Sequence, residues 1–448
     1  MAEDNTSRIQ REDRHNMNEM REFADLFDDV LKDKEINKYT YVLVKSEKQE
    51  LNVENGEFKL LRTVFDYYTS LTVFEDNKMG SASGNDLSKE ALIKLADDGK
   101  DSAQSSPEDP CHDIAPDQGK EVFRQGTYEP DMDKFLNRIQ ECLDAIKKEY
   151  PKVLVMAAVG SYDRSHWISR NSNGTEFEDY SGHYNFYFEI SAGEDDVNSG
   201  IGFAGVTMDN LDKPFMELGN LRQSLEDISN SIHTKSLEGK FEGTVILTPG
   251  AASQFLSMLI SNYMSDHVVI NGTSLWLDKV GEQVASDKLT ISKKPFDDRI
   301  VNGERGTQDG FRAEDVTLIE KGVLKTHCLS LYAANKTGRP VVKNTGWSLV
   351  VEPGEKELAE IIKSVDKGLI LGSYSGGEPG ANGEFSGVAK NSFLIENGEV
   401  KYAVSETMVN GNLGEIVKNI RDISKELVCD GGSVVPYIAV DGVVISGK

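Results

Sequence analysis

The chain has 448 residues, more than a single core ordinarily organises, so two or more domains are expected. Hydrophobic residues make up 38% and charged residues 28%, a globular balance, and no apolar run approaches the ~18 residues of a membrane span. With 49 basic against 75 acidic residues the formal charge is −26, a field that repels phosphate backbones and argues against direct nucleic-acid binding.

Residues 1–17 are charged and lack an apolar h-region, so they read as a disordered extension and not as a secretory signal. Cys111, Cys142, Cys328 and Cys429 form no CxxC pair, so the default is a reduced thiol set in a cytoplasmic protein. Met20, Phe23, Phe27, Val30 and Leu31 fall at helical spacing and predict a helix over 18–33. Alternating runs at Tyr39–Val44, Gln49–Val53, Phe58–Thr63 and Ser70–Phe74, with an Asn55-Gly56 turn, predict strands. A helix over Ser88–Ala103, capped by Asn85 or Ser88, completes an N-terminal α+β domain at 18–103.

Residues 104–130 are rich in Pro, Asp, Ser and Gln and read as a linker. The central region, 131–238, opens with a helix over Asp131–Tyr150. It continues as a strand meander (Val153–Ala158, His166–Asn171, Thr175–Tyr180 and His183–Ser191), packs with the N-terminal domain and ends in a helix over Pro214–Ile232. From 239 to 448 short strands and Gly turns dominate. The helix that Pro249 opens over Gly250–Met264 and another at Glu355–Ser364 interrupt them. The fold class is therefore α+β: an α/β-layered N-terminal domain with an antiparallel sheet, followed by a β-rich, barrel-like C-terminal domain.

The densest local signal is Pro379–Val404, in which the runs NSFLIE and EVKYAV flank Asn397-Gly398, a dipeptide suited to a two-residue hairpin turn. NGEFSGVAKNSFLIENGEV, followed by SETMVNGN, resembles the C-terminal signature of the PmbA/TldD family. SLTVFEDNKMGSASGNDLSKEALIKLADD is similar to that family's N-terminal domain. In the TldD-like branch an HExxxH helix and a C-terminal Cys hold a metal, whose bound water can ionise near neutral pH. Here the equivalent segment is Thr248–His267, and it carries no His, Cys, Asp or Glu between Pro249 and Asp266; no HExxxH occurs anywhere in the chain.

The chain thus resembles the PmbA/TldE-type branch, labelled historically as modulator of DNA gyrase. The resemblance implies a non-catalytic subunit of a TldD/TldE-type metalloprotease complex acting on peptides. No catalytic residue and no metal are expected in this chain; Cys429 and His267 are retained as candidate ligands. Zinc is expected in a TldD-type partner, which would supply the chemistry. Asn382, Gly383, Glu384, Phe385, Ser386, Asn410, Gly411 and Asn412 are nominated as peptide-groove or partner-contact residues, because strand addition uses backbone groups. A homodimer is the expected alternative assembly for the isolated chain.

Two rivals stand beside this reading: an autonomous metal-dependent hydrolase with unrecognised ligands, and a regulator acting on gyrase without protease activity. Local sites have bland explanations. His327 and Cys328 would point to opposite faces of a strand, Cys328 into the core and His327 into solvent. Cys111-His112 lies in the linker, a poor scaffold for nucleophilic catalysis. His166 and His183 sit among meander aromatics, where a satisfied histidine is ordinary. Gly372–Gly377 matches neither a P-loop nor a dinucleotide fingerprint. Acidic pairs such as Asp297-Asp298 are expected on so acidic a surface.

Overall fold

The protein is described from a computed structural model covering residues 19–344 and 346–447; the expected extension at 1–17 lies outside the described residues. Helix α1, over 19–33, forms because Met20, Ala24, Phe27 and Leu31 make one fully buried stripe. The short runs expected after it fuse into long strands. β1 (Tyr39–Glu54) turns through Asn55-Gly56, both at positive φ, into β2 (Glu57–Glu75), and β3 (Lys78–Gly84) follows. In α2 (Lys89–Ser105) the Ser88 hydroxyl accepts the Ala91 N–H as N-cap. Gly80 lets β3 lie directly on this helix, since a Cβ there would stand 2.0 Å from the Ala103 nitrogen.

The region expected as a linker is not a plain connection, for β4 (Lys120–Gly126) lies within it. Next come α3 (Met132–Glu149), β5 (Val153–Asn171), β6 (Glu176–Glu194), β7 (Val197–Asn198) and β8 (Gly202–Met208). The first sheet runs β3-β2-β1-β5-β6-β4, with β7 and β8 also bonded to β6. β1 and β5 pair antiparallel from Thr40↔Asn171 to Glu54↔Ala157, so 18–103 and 131–238 contribute to one continuous sheet. Helices cover one of its faces. Tyr41, Leu43, Leu71 and Ile168 pack with α1 and α2, while Tyr162, Tyr184, Phe186 and Phe188 pack with α3. The helix expected over Pro214–Ile232 is interrupted: a 3₁₀ turn at Phe215–Glu217 and Gly219 at φ 54° precede α4 (Leu221–Asn230).

The second lobe begins with β9 (Thr234–Ser236), β10 (Lys240–Leu247), α5 (Pro249–Met264), α6 (Asp266–Ile270) and β11 (Ile291–Lys293). It continues with β12 (Val316–Glu320), β13 (Val323–Leu324), α7 (Leu331–Thr337), β14 (Leu349–Val351) and α8 (Leu358–Lys363). Then come β15 (Lys367–Leu371), β16 (Ser373–Gly376), β17 (Glu384–Lys390), β18 (Phe393–Glu396) and β19 (Glu399–Ser405). β20 (Met408–Asn412), α9 (Leu413–Lys418), β21 (Ile420–Cys429) and β22 (Ser433–Ser446) complete it. The short helices α6, α7 and α9 span too few residues to show a periodicity, and the helix expected at Glu355–Ser364 forms as the equally short α8.

The large sheet closes on itself. β22 pairs with β10, β10 with β15, β15 with β18 and β18 with β19. The same chain runs continue as β16, β17 and β20, which pair with one another, and β20 returns to β22. This ring is the barrel-like arrangement anticipated, and it removes free strand edges from the core. The β18–β19 hairpin turns at Asn397-Gly398, with φ 52° and 74°. The lobes are also tied together. Arg312 grips Glu121 through two nitrogens, the Tyr332 hydroxyl donates to Asp109, and the Thr207 N–H donates to the Asp430 carbonyl.

Candidate functional site

Helix α5 starts where chain direction demands it. Thr248 accepts the Ala251 N–H as cap, and Pro249 occupies the first turn, where a missing N–H costs nothing. Phe255, Leu256, Leu259 and Tyr263 bury one side against the closed sheet, with Phe255 edge-on to both Tyr374 and Phe385. The opposite side carries Ser257, Ile260, Ser261 and Ser265 into a cleft of about 420 Å³ shared with Asp309, Ser330 and Trp347.

That cleft adjoins a second, of about 500 Å³, and Gln308 and Trp347 line both. The second cleft lies under the helix-free face of the first sheet. Val42 and Val44 of β1, Ser165 and Trp167 of β5, Asp179 of β6 and Gln125 of β4 form its floor. The loop from Asn302 to Gln308 closes it from the other lobe. A groove from the first sheet to α5 therefore runs between the lobes, walled by small hydroxyls, two tryptophans and charged groups such as Asp179, Arg305, Lys293 and Asp309.

Opposite sides of β6 differ sharply. Glu178 faces the helices, where Arg21, His166 and Tyr180 all bond to its carboxylate, at distances from 2.6 to 3.2 Å. Burial would push this carboxyl up, but the hydrogen bonds from His166, Arg21 and Tyr180 outweigh it and hold it at about 2. Asp179 faces the cleft and is 1% exposed. Gln125 Nε2 donates to its Oδ2 at 3.1 Å, while Asp179 Oδ1 and Gln125 Oε1 have no hydrogen-bond partner. Here burial wins and pushes the carboxyl above its ordinary value.

The nominated groove residues occupy a different place. Glu384↔Asn412, Phe385↔Gly411 and Ser386↔Asn410 are strand partners of one another, so their ladder is filled from within the chain. Phe385 is buried in the core, and the Ser386 hydroxyl donates to the Asn410 side chain. Asn412 caps α9 and donates to the Asn382 carbonyl. Gly383, at φ 85°, passes so close to Tyr263 that a Cβ would stand 1.9 Å from its hydroxyl. The lining of the cleft includes none of these eight residues.

His267 is exposed on α6 beside the Asn271 amide, and Cys429 ends β21, where burial pushes its thiol away from the thiolate that metals prefer. His327 is a correction: it is buried and donates to the Trp276 carbonyl at 3.0 Å, because the chain there is a loop folded under α6 and not an expected strand. Cys328 is buried as anticipated, next to α5 through a bridge to Ser265. Cys111 and His112 lie on the strap that docks on α7, with the His112 ring stacked on Tyr332. His166 is satisfied by Glu178, and His183 is half-buried on β6. Among the described residues no group of three or more His, Cys, Asp and Glu side chains could hold a metal ion.

An open sheet backed by helices, joined to a closed β-lobe with a Pro-initiated helix at the cleft between them, defines a two-lobed, metallopeptidase-related α+β protein. PmbA/TldA metallopeptidase domain 1 matches residues 42–103, and the PmbA/TldA metallopeptidase C-terminal domain matches residues 239–447. The chain belongs to the PmbA/TldD family. It is 26% identical over 404 residues to Metalloprotease PmbA of Escherichia coli O157:H7, covering 84% of this chain and 83% of that one.

Among solved structures, TldE from Thermococcus kodakarensis superposes with a TM-score of 0.84 at 21% identity, over 94% of this chain and 100% of the other. A Bacteroides thetaiotaomicron protein provisionally labelled a modulator of DNA gyrase superposes at 0.79 with 24% identity, over 96% and 99%. The metal that the family name implies does not fit here. The cleft side of α5 offers only hydroxyls and an isoleucine, and although Asp266, Asp309 and Cys328 line the same cleft, no group of three such side chains among the described residues could hold a metal ion.

Proposed function

We propose that this chain is a non-catalytic subunit of a TldD/TldE-type metalloprotease complex, shaping a cleft that holds a polypeptide while a zinc-bearing TldD-type partner cuts it. One observation carries the reading: the side of α5 facing the cleft bears Ser257, Ile260 and Ser261 on the helix where the metal-binding branch has HExxxH. The serine hydroxyls along α5 suit an extended chain held through its backbone groups. The nominated segments 382–386 and 410–412 then act through their outward side chains, Glu384, Ser386 and Asn410, as a partner contact, since the edges that face each other are already paired.

The outer arm of the first sheet supports assembly with another chain. Leu61 and Phe65 on β2 are 62% and 66% exposed, and Phe58, Leu60 and Tyr68 beside them are exposed too. β2 pairs with β1 throughout, but β3 joins its other edge from Thr69 onward, so the edge over 57–68 is open among the described residues. An apolar strand edge of this kind is built to be covered by a partner strand.

The test is purification of the tagged chain from its native cell, with metal analysis and a peptidase assay. The reading predicts a TldD-type companion that carries the zinc and all chelator-sensitive activity. A chain that purifies without such a companion, or that alone holds stoichiometric zinc and cleaves peptides, overturns it.

A further inference from the structure

The cleft floor holds an unspent polar pair. Asp179 and Gln125 are 1% and 7% exposed, yet Asp179 Oδ1 and Gln125 Oε1 lack partners where the cleft opens beside them. Buried acceptors left unpaired are costly, and two together call for a group that brings several N–H donors. Two of the chain's three tryptophans wall the same space: Trp167, the strand neighbour of Asp179, and Trp347, which is 86% exposed. Indole faces attract cations.

The other charged groups nearby are already engaged. Arg305, whose charge acts on Asp179, spends its hydrogen bond on the Pro295 carbonyl and lies over the Phe296 ring, leaving Asp179 Oδ1 without a donor; Glu304 accepts the Gly346 N–H at 2.7 Å. The net charge of −26 draws cations toward the cleft. An ammonium offers three donors and a charge, matching both acceptors and both rings.

We propose that this pocket recognises a primary ammonium group of the bound polypeptide, a lysine side chain or a free N-terminus, at Asp179 and Gln125 between Trp167 and Trp347. The proposal rests on the peptide-cleft reading above and names the substrate feature that the cleft selects. The test is calorimetric titration of the full chain with three alanine-based pentapeptides: one blocked at both ends with a central lysine, one with a free N-terminus, and one blocked with neither. A fourth titration uses n-butylammonium.

At least one amine-bearing peptide should bind about tenfold more tightly than the blocked alanine peptide, and which one does so identifies the source of the ammonium. Asp179→Asn, which keeps the shape, should abolish that preference. Trp347→Ala, at an exposed ring whose loss cannot unfold the core, should reduce it by about threefold. Equal binding of all three peptides, or a preference that survives Asp179→Asn, overturns the ammonium site while leaving the peptide cleft standing. Asp179-dependent binding of n-butylammonium with no peptide binding supports the site and overturns the peptide reading.

Discussion

Glu178 and Asp179 are adjacent on β6 and point to opposite faces of the sheet, one toward helices and one toward the cleft. Glu178 is wrapped by Arg21, His166 and Tyr180, with the His166 ring stacked 4.1 Å from Tyr180. Asp179 accepts one amide hydrogen bond, from Gln125, has weaker support from the Arg305 charge and the Trp167 indole, and keeps Oδ1 without a hydrogen-bond partner. The same burial leaves one carboxylate firmly ionised and the other strained, and the difference lies in the donors supplied. A satisfied buried charge fixes the fold, whereas an unsatisfied one facing a cavity awaits a ligand.

The comparison breaks most visibly at Glu178. Glu178→Ala strands Arg21 and His166 and should cost about 3 kcal/mol, read as a large fall in the urea midpoint of the first lobe. An unchanged midpoint would mean that the cluster is ornamental. The next effect is its pH dependence. Because the folded carboxyl sits at about 2, its contribution is complete above the ordinary range near 4.5 and fades as the pH falls toward 2. The melting difference between wild type and Glu178→Gln should therefore shrink on acidification.

Asp179→Asn should do the reverse. The raised folded value means that the native state holds its proton more tightly, so wild-type stability falls as pH rises through that range. Removing the charge should raise the melting temperature modestly at pH 7 and leave it unchanged in acid. A substitution that destabilises at pH 7 would show that Asp179 already has its partner. Smallest of all, Trp347→Ala should shift unfolding by less than about 0.5 kcal/mol, consistent with a side chain 86% exposed, while still weakening ligand binding.

Much of this molecule was legible in its residues. Asn397-Gly398 dictated its hairpin, Pro249 opened α5, and the family signature led to the correct fold. The long strands were less legible, because polar residues such as Glu47, Lys48, Lys59 and Arg62 on an exposed arm interrupt the apolar alternation. β4 was hidden in a polar stretch and is held by parallel pairing to distant β6, which no local pattern encodes. Gly383 and Asn412, expected as groove or contact elements, also serve tight packing and a helix cap, roles that no local pattern announces.

Nothing local singles out Asp179, because acidic pairs are common in a chain with 75 acidic residues. Its distinction from Glu178 depends on which sheet face the helices cover. The one available clue was period 2: Trp167 and Asp179 fall on the strand face opposite the Tyr162, Tyr180 and Tyr184 positions.

Native mass spectrometry of the full chain with zinc and the lysine pentapeptide tests most directly whether this cleft holds a polypeptide without cutting it. The account predicts a one-to-one complex with the peptide intact and no zinc retained. A zinc-loaded chain releasing cleaved peptide would contradict it.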